Sequence, residues 1–149
     1  RGKRAGTENL PAIVGMVAAL QEATENMEQE APRISAMRDQ LIEGLSQISL
    51  SRLNGDRERR LPGTVNFVFE GVEDEMLLLQ LDARGIAASS GSACTAGSLE
   101  PSHVLLALGL PTEIARGSLR LSIGAENTLE EMAYIIKSVK EVVAQLRGE

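Results

Sequence analysis

Residues 119–146 read LRLSIGAENTLEEMAYIIKSVKEVVAQL, and their hydrophobic period changes partway along. Leu119-Arg120-Leu121-Ser122-Ile123 alternates apolar with polar residues, the mark of a strand with one face buried. Beyond Gly124, Thr128-Leu129-Glu130-Glu131 has the form of a capping box. Its threonine hydroxyl can hold the amide three residues on, and the glutamate can reach back to the threonine amide. Met132, Ile135, Ile136, Val139, Val142, Val143 and Leu146 then recur at helical spacing, which predicts a helix from 128 to 146. A half-buried strand followed by an amphipathic helix calls for helix-on-sheet packing. The fold class that follows is α+β, a small mixed sheet packed against helices.

Upstream, Ile13, Val17, Leu20 and Met27 give helical spacing to about Glu30, with Pro11 acceptable in the first turn. Pro32 predicts an interruption, followed by a second amphipathic helix carrying Ile34, Met37, Leu41, Leu45 and Ile48. Leu50–Leu53 reads as a short strand ending in the turn Asn54-Gly55-Asp56, and the β-branched and aromatic run Thr64–Phe69 as a better one. Asp74–Arg84 is a short helix stopped by Gly85, and Ile86–Ser89 a strand leading into a cysteine-bearing loop. A short helix follows Pro101-Ser102 to Gly109, and a helical turn occupies Thr112–Arg116.

A chain of 149 residues, 43% hydrophobic and 24% charged, has the size and composition of one soluble globular domain. Phe67, Phe69 and Tyr134 are its only aromatics, so stacking platforms for bases are scarce. The net charge of −6 also disfavours a nucleic-acid partner. With Cys94 alone there is no internal disulfide, and a reducing, cytoplasmic compartment is expected. One cysteine and one histidine, His103, cannot compose the usual all-protein zinc site, so no metal site is expected within the chain. No apolar run has the length of a membrane span, and there is no signal-peptide pattern. The opening at Arg1, inside a basic run, reads as part of something longer.

Cys94 sits in Ala88-Ser89-Ser90-Gly91-Ser92-Ala93-Cys94-Thr95-Ala96-Gly97-Ser98, a run of small residues with little to bury. A structural cysteine packs as a small hydrophobe among larger ones. This one lies between glycines, the setting of a thiol that does chemistry, although an inert loop thiol has the same wording. The nucleophile is the thiolate, and no histidine or lysine adjoins Cys94 to promote it. His103 reads as a partly exposed helix residue or, less simply, as the base of a Cys–His pair. Arg120 is either the solvent face of its strand or a fork for a carboxylate. Gly6-Thr7, before the first helix, is either a helix cap or an anion site.

Ser89–Leu105, Ser-Ser-Gly-Ser-Ala-Cys-Thr-Ala-Gly-Ser-Leu-Glu-Pro-Ser-His-Val-Leu, closely resembles the active-site loop of cysteine desulfurases of the nitrogen-fixation and iron–sulfur assembly group. Arg1–Asn9 is similar to that family's segment after a glycine-rich turn, and Leu119–Gly124 to its carboxylate-binding strand. The resemblance implies a pyridoxal 5'-phosphate enzyme of the fold-type-I, class-V aminotransferase kind. Such an enzyme takes sulfur from L-cysteine, leaving L-alanine and a persulfide. It implies that Cys94 is the attacking thiolate, that Arg120 holds the substrate carboxylate, and that Thr7 donates to the cofactor phosphate of the other subunit in a homodimer. The partners implied are L-cysteine and an iron–sulfur scaffold or other sulfur acceptor, whose cluster could share Cys94 as a ligand.

The family's Schiff-base lysine stretch has no counterpart here, where Lys3, Lys137 and Lys140 are the only lysines. The chain is therefore expected to be the C-terminal part of such an enzyme, inactive alone. Residues 1–9 would end the large cofactor domain, 10–31 would form a linking helix, and 32–149 the small domain with its cysteine loop at 89–102. The alternatives are a selenocysteine lyase-like relative and a cofactor-free sulfur-carrying module.

Overall fold

The computed structural model describes residues 6–91 and 101–149. Its elements run α1 (Leu10–Leu45), β1 (Ser51–Leu53), β2 (Thr64–Phe69), α2 (Asp74–Asp82), α3 (His103–Ala107), α4 (Thr112–Ala115), β3 (Ser118–Ser122) and α5 (Leu129–Arg147). The strands form a three-stranded sheet in the order β1-β2-β3. The α+β class holds, but both pairings are antiparallel, so the sheet is not mixed as the sequence suggested.

Alternation along β2 and β3 gives the sheet two unlike faces. Val65, Phe67, Phe69, Leu119 and Leu121 enter the main core with Met37, Leu41 and Leu45 of α1, Leu77 and Leu81 of α2, and Met132, Val139, Val142 and Val143 of α5. Phe67 and Phe69 stack at 5.9 Å between centroids within this layer. The expected stripe on the last helix is therefore the core face. The capping box forms as read: Glu131 N donates to Thr128 Oγ1, and the Glu131 carboxylate accepts from Thr128 N. On the opposite face Val68 is covered by Leu105, Leu110 and Ala115 of the α3–α4 segment, and its register partner Ser118 is buried beside it.

Two expectations about local structure change. Pro32 does not end a helix: α1 runs through it to Leu45. A proline removes one amide hydrogen bond, and here the freed carbonyl of Glu28 lies on an exposed stretch where water can satisfy it. Arg33, directly after it, donates to Asn127 O at 2.9 Å and to Ala125 O, so tertiary contacts hold the chain helical beyond the proline. Ile86–Ser89 is not a strand of its own. Only Ser89 pairs, by an isolated bridge to Arg120, because Ile86 turns into the core directly after Gly85, whose φ of +75° ends α2. Among the described residues no helix is long and apolar enough to cross a membrane.

Candidate active site

The uncovered part of the second sheet face carries a transverse polar row. Asn66 and Arg120 are direct register partners across β2 and β3, and Ser89 pairs with Arg120 on its other side. Asn54, just beyond β1, completes the row: its amide donates to Asn66 O at 2.9 Å, and its Nδ2 donates to Asn66 Oδ1 at 2.6 Å. Residues directly opposite in an antiparallel sheet project to one side. Their neighbours Val65, Phe67, Leu119 and Leu121 point into the core, so Asn66 and Arg120 face away from the α1–α2–α5 layer.

Arg120 is half-buried, and no carboxylate among the described residues lies within ion-pair distance of it. A guanidinium carries five donors and no acceptor, so this arrangement leaves it free to take an incoming anion. A guanidinium so placed can hold a carboxylate through two parallel hydrogen bonds.

Backbone geometry ties the start of the cysteine segment to this row. Ser89 N donates to Arg120 O at 3.1 Å, Arg120 N donates to Ser89 O, and the Ser118 hydroxyl donates to Ser90 O at 2.6 Å. Ser118 is 1% exposed, so this is a buried bond whose loss would leave a carbonyl unsatisfied. A Cβ on Gly91 would touch the Ser102 side chain at 3.4 Å, which places the two ends of the cysteine segment side by side. Cys94 itself lies outside the described residues, as does Lys3. The chain enters that segment beside Arg120, and its far end at Ser102 returns beside Gly91.

The hairpin behind Asn54 is clasped by Arg60, whose Nη2 donates to Asn54 O at 3.0 Å and whose Nε donates to Asp56 O at 2.7 Å. Burial, with Arg38 nearby, pulls the Arg60 pKa below its ordinary value. Asn54 is 8% exposed, and its Oδ1 is a buried acceptor with no partner. An unsatisfied buried acceptor costs about 1–3 kcal/mol. The short bond to Asn66 holds the Asn54 carboxamide in that orientation in spite of the cost.

The other expected site residues lie elsewhere. Thr7 is exposed and follows Gly6, whose φ is +100°. Asn9, not Thr7, caps α1 by accepting from Ala12 N at 3.2 Å, so the cap reading of Thr7 falls. From the start of α1 to Met37, its first fully buried residue, is about 40 Å along the helix axis at ~1.5 Å per residue. The structure therefore does not bring Thr7 to the Arg120 row. His103 is exposed at the start of α3. Lys137 and Lys140 are exposed on α5, the helix packed against the opposite face of the sheet.

Reading the sequence missed Asn54, Asn66, Ser89 and Ser118. Asn66 had a signal, as a polar residue at an outward position of the run Thr64–Phe69. The others acquire their place only through pairing between segments distant in sequence.

Comparison with known proteins identifies the family and the fold. The model for the family described as aminotransferase class-V matches residues 2–135. The chain is 51% identical over 150 residues to a protein named cysteine desulfurase IscS from Clostridium botulinum, covering 99% of this chain and 38% of that one. It is 47% identical over 149 residues to cysteine desulfurase NifS from Azotobacter vinelandii, with 99% and 37% coverage. A solved NifS-like protein superimposes with a TM-score of 0.82 at 31% identity, over 97% of this chain and 36% of that chain. A NifS-like protein from Rickettsia africae also gives 0.82, at 27% identity. The chain thus spans about 38% of the length of the relatives it matches. It belongs to the class-V aminotransferase family.

Proposed function

We propose that this chain is the C-terminal part of a cysteine desulfurase, carrying the sulfur-accepting thiol Cys94 and the substrate-carboxylate residue Arg120. The observation that carries the reading is the bridge between Ser89 and Arg120. It sets a guanidinium without a carboxylate partner among the described residues at the root of the cysteine segment, on the sheet face that the large helices leave open. The relatives named cysteine desulfurase supply the substrate class.

In this reading the C–S bond of L-cysteine breaks and its sulfur joins Cys94 as a persulfide. The carbon skeleton keeps the bonding pair, takes up a proton and leaves as L-alanine. Cys94 then passes the sulfur to an iron–sulfur scaffold or another acceptor protein. Arg120 holds the substrate by its carboxylate, so that the sulfur faces the cysteine segment.

The family implies pyridoxal 5'-phosphate, which acts as an electron sink when bound. The described residues do not form its pocket, because neither described lysine lies on the Arg120 face. Its site belongs mainly to the rest of the longer protein, with Thr7 as one phosphate contact across a homodimer. The exposed apolar residues of α1, among them Leu10 at 62%, Val14 at 67%, Met16 at 65% and Leu20 at 65%, fit that division. A helix segment apolar on all sides is stable in water only when covered. Residues 10–31 would link the two domains and pack against the larger one, and 32–149 would form the small domain. A cytoplasmic location follows from the need for a free thiol.

The test uses the full-length protein. Cys94→Ala should still bind L-cysteine, seen as a colour change of the cofactor, and release no sulfide; undiminished sulfide release would sink the assignment. Arg120→Ala should raise KM by an amount worth up to ~3 kcal/mol, as expected for a charge-assisted pair, and an unchanged KM returns Arg120 to the solvent face.

A further inference from the structure

We infer that Asn66 is a second substrate-binding residue, whose carboxamide N–H holds one oxygen of the substrate carboxylate while Arg120 holds the other. The inference rests on the reading of Arg120 given above and assigns it a partner.

The argument begins with the strand register. The N–H and C=O of Arg120 are both turned toward Ser89 on its far side. Asn66 and Arg120 are therefore a non-hydrogen-bonded pair across β2 and β3, the kind whose side chains approach most closely, with Cα atoms about 4.5 Å apart. Both project from the face opposite the core.

The polarity of the Asn66 carboxamide is set from behind. Asn54 Nδ2 donates to Asn66 Oδ1 at 2.6 Å, so the acceptor end of Asn66 is taken from the β1 side. Asn54 is in turn held by the Arg60 clasp on its carbonyl and is more than nine-tenths buried, so it is not free to swing away. What remains of Asn66 for the β3 side is its NH₂ group.

A guanidinium and a carboxamide NH₂ side by side are all donors and cannot satisfy each other. Among the described residues neither group has a side-chain acceptor. A planar anion with two oxygens satisfies both at once, one oxygen on each donor, and an α-amino-acid carboxylate has that shape. A single halide offers only one acceptor atom to the two donors. The pair therefore acts in specificity: it selects a free carboxylate over an ester or amide of the same amino acid.

The experiment compares L-cysteine with L-cysteine methyl ester, which keeps the amine and thiol but loses the carboxylate charge. Full-length wild type, Asn66→Ala, Asn66→Asp and Arg120→Ala are assayed for kcat/KM on both substrates. Asn66→Ala is expected to lower the ratio of kcat/KM for cysteine over ester by roughly tenfold, the scale of one hydrogen bond to a charged group. Asn66→Asp should lower it further, because its carboxylate occupies the Arg120 guanidinium. A purely structural role for Asn66 would depress both substrates together and leave the ratio unchanged, and that result overturns the inference. If Arg120→Ala leaves the ratio unchanged, the carboxylate reading of Arg120 fails. If wild type releases no sulfide from L-cysteine, the proposed function itself fails.

Discussion

Gly117 immediately precedes β3, and a Cβ built there would lie 2.2 Å from Phe69 O, 3.0 Å from Phe69 C and 3.0 Å from Val72 O. All three contacts are backbone, which cannot swing aside as a flexible side chain would. Gly117→Ala must therefore open the 2.2 Å contact to at least 3.0 Å, by moving the end of β2 away from the start of β3. Gly117 O also accepts from Phe69 N at 2.9 Å, and that bond weakens with the same movement. Overpacking of this kind costs about 1–3 kcal/mol and a weakened hydrogen bond about 1 kcal/mol, giving roughly 3 kcal/mol together. For a chain of this size that corresponds to a Tm lower by about 6–12 °C. Urea unfolding of wild type, Gly117→Ala and Gly124→Ala measures it. Gly124 has no atom within 4 Å of its added Cβ and no positive φ, so Gly124→Ala should stay within ~0.5 kcal/mol of wild type. A Gly117→Ala protein as stable as wild type would refute the claim that close backbone contact at this corner sets the position of β3.

Two further outcomes test the core and the last helix. Phe67 is 1% exposed and stacked on Phe69, so Phe67→Ala should destabilise by about 3–5 kcal/mol in the same urea titration, and a loss under ~1 kcal/mol would mean that the core collapses around the gap. The Glu131 carboxylate accepts from Thr128 N and from Asn127 Nδ2, which lowers its pKa from the ordinary 4.5, the backbone bond contributing most. Its stabilising effect is fully present above that ordinary value and is lost as pH falls through the lowered folded one. The urea midpoint of Glu131→Gln should thus lie below that of wild type near neutral pH, and the difference should close as the pH is taken down below the ordinary value of 4.5; a difference independent of pH would refute the charge-assisted cap.

Much of the local structure was legible because it depends on neighbours in sequence. The capping box at Thr128 needs only residues within one helical turn, and it forms as written. The alternation of Leu119, Arg120 and Leu121 assigned Arg120 to the open face of its strand, where the structure places it. Pro32 misled for a complementary reason. The local rule against an interior proline holds, but the bonds of Arg33 to Ala125 and Asn127 come from residues more than ninety positions away. Ile86–Ser89 has a strand-like composition, yet its neighbours in space leave only Ser89 a partner.

The sequence by itself determined the α+β class, the core stripes, the candidate residues Cys94, Arg120 and Thr7, and the resemblance to the desulfurases. Each of these is carried by period, by residue type or by a contiguous motif. Only the tertiary structure decided that Asn54, Asn66, Arg120 and Ser89 lie in one row, and that Ser118 fastens the root of the cysteine segment to β3. Register between strands is set by which apolar side chains share the core, and no single strand carries that information. Asn54 and Arg120 become neighbours of Asn66 because Phe67, Leu119 and Leu121 must all face α1 and α5. The polar row is what that apolar requirement leaves on the other side of the sheet.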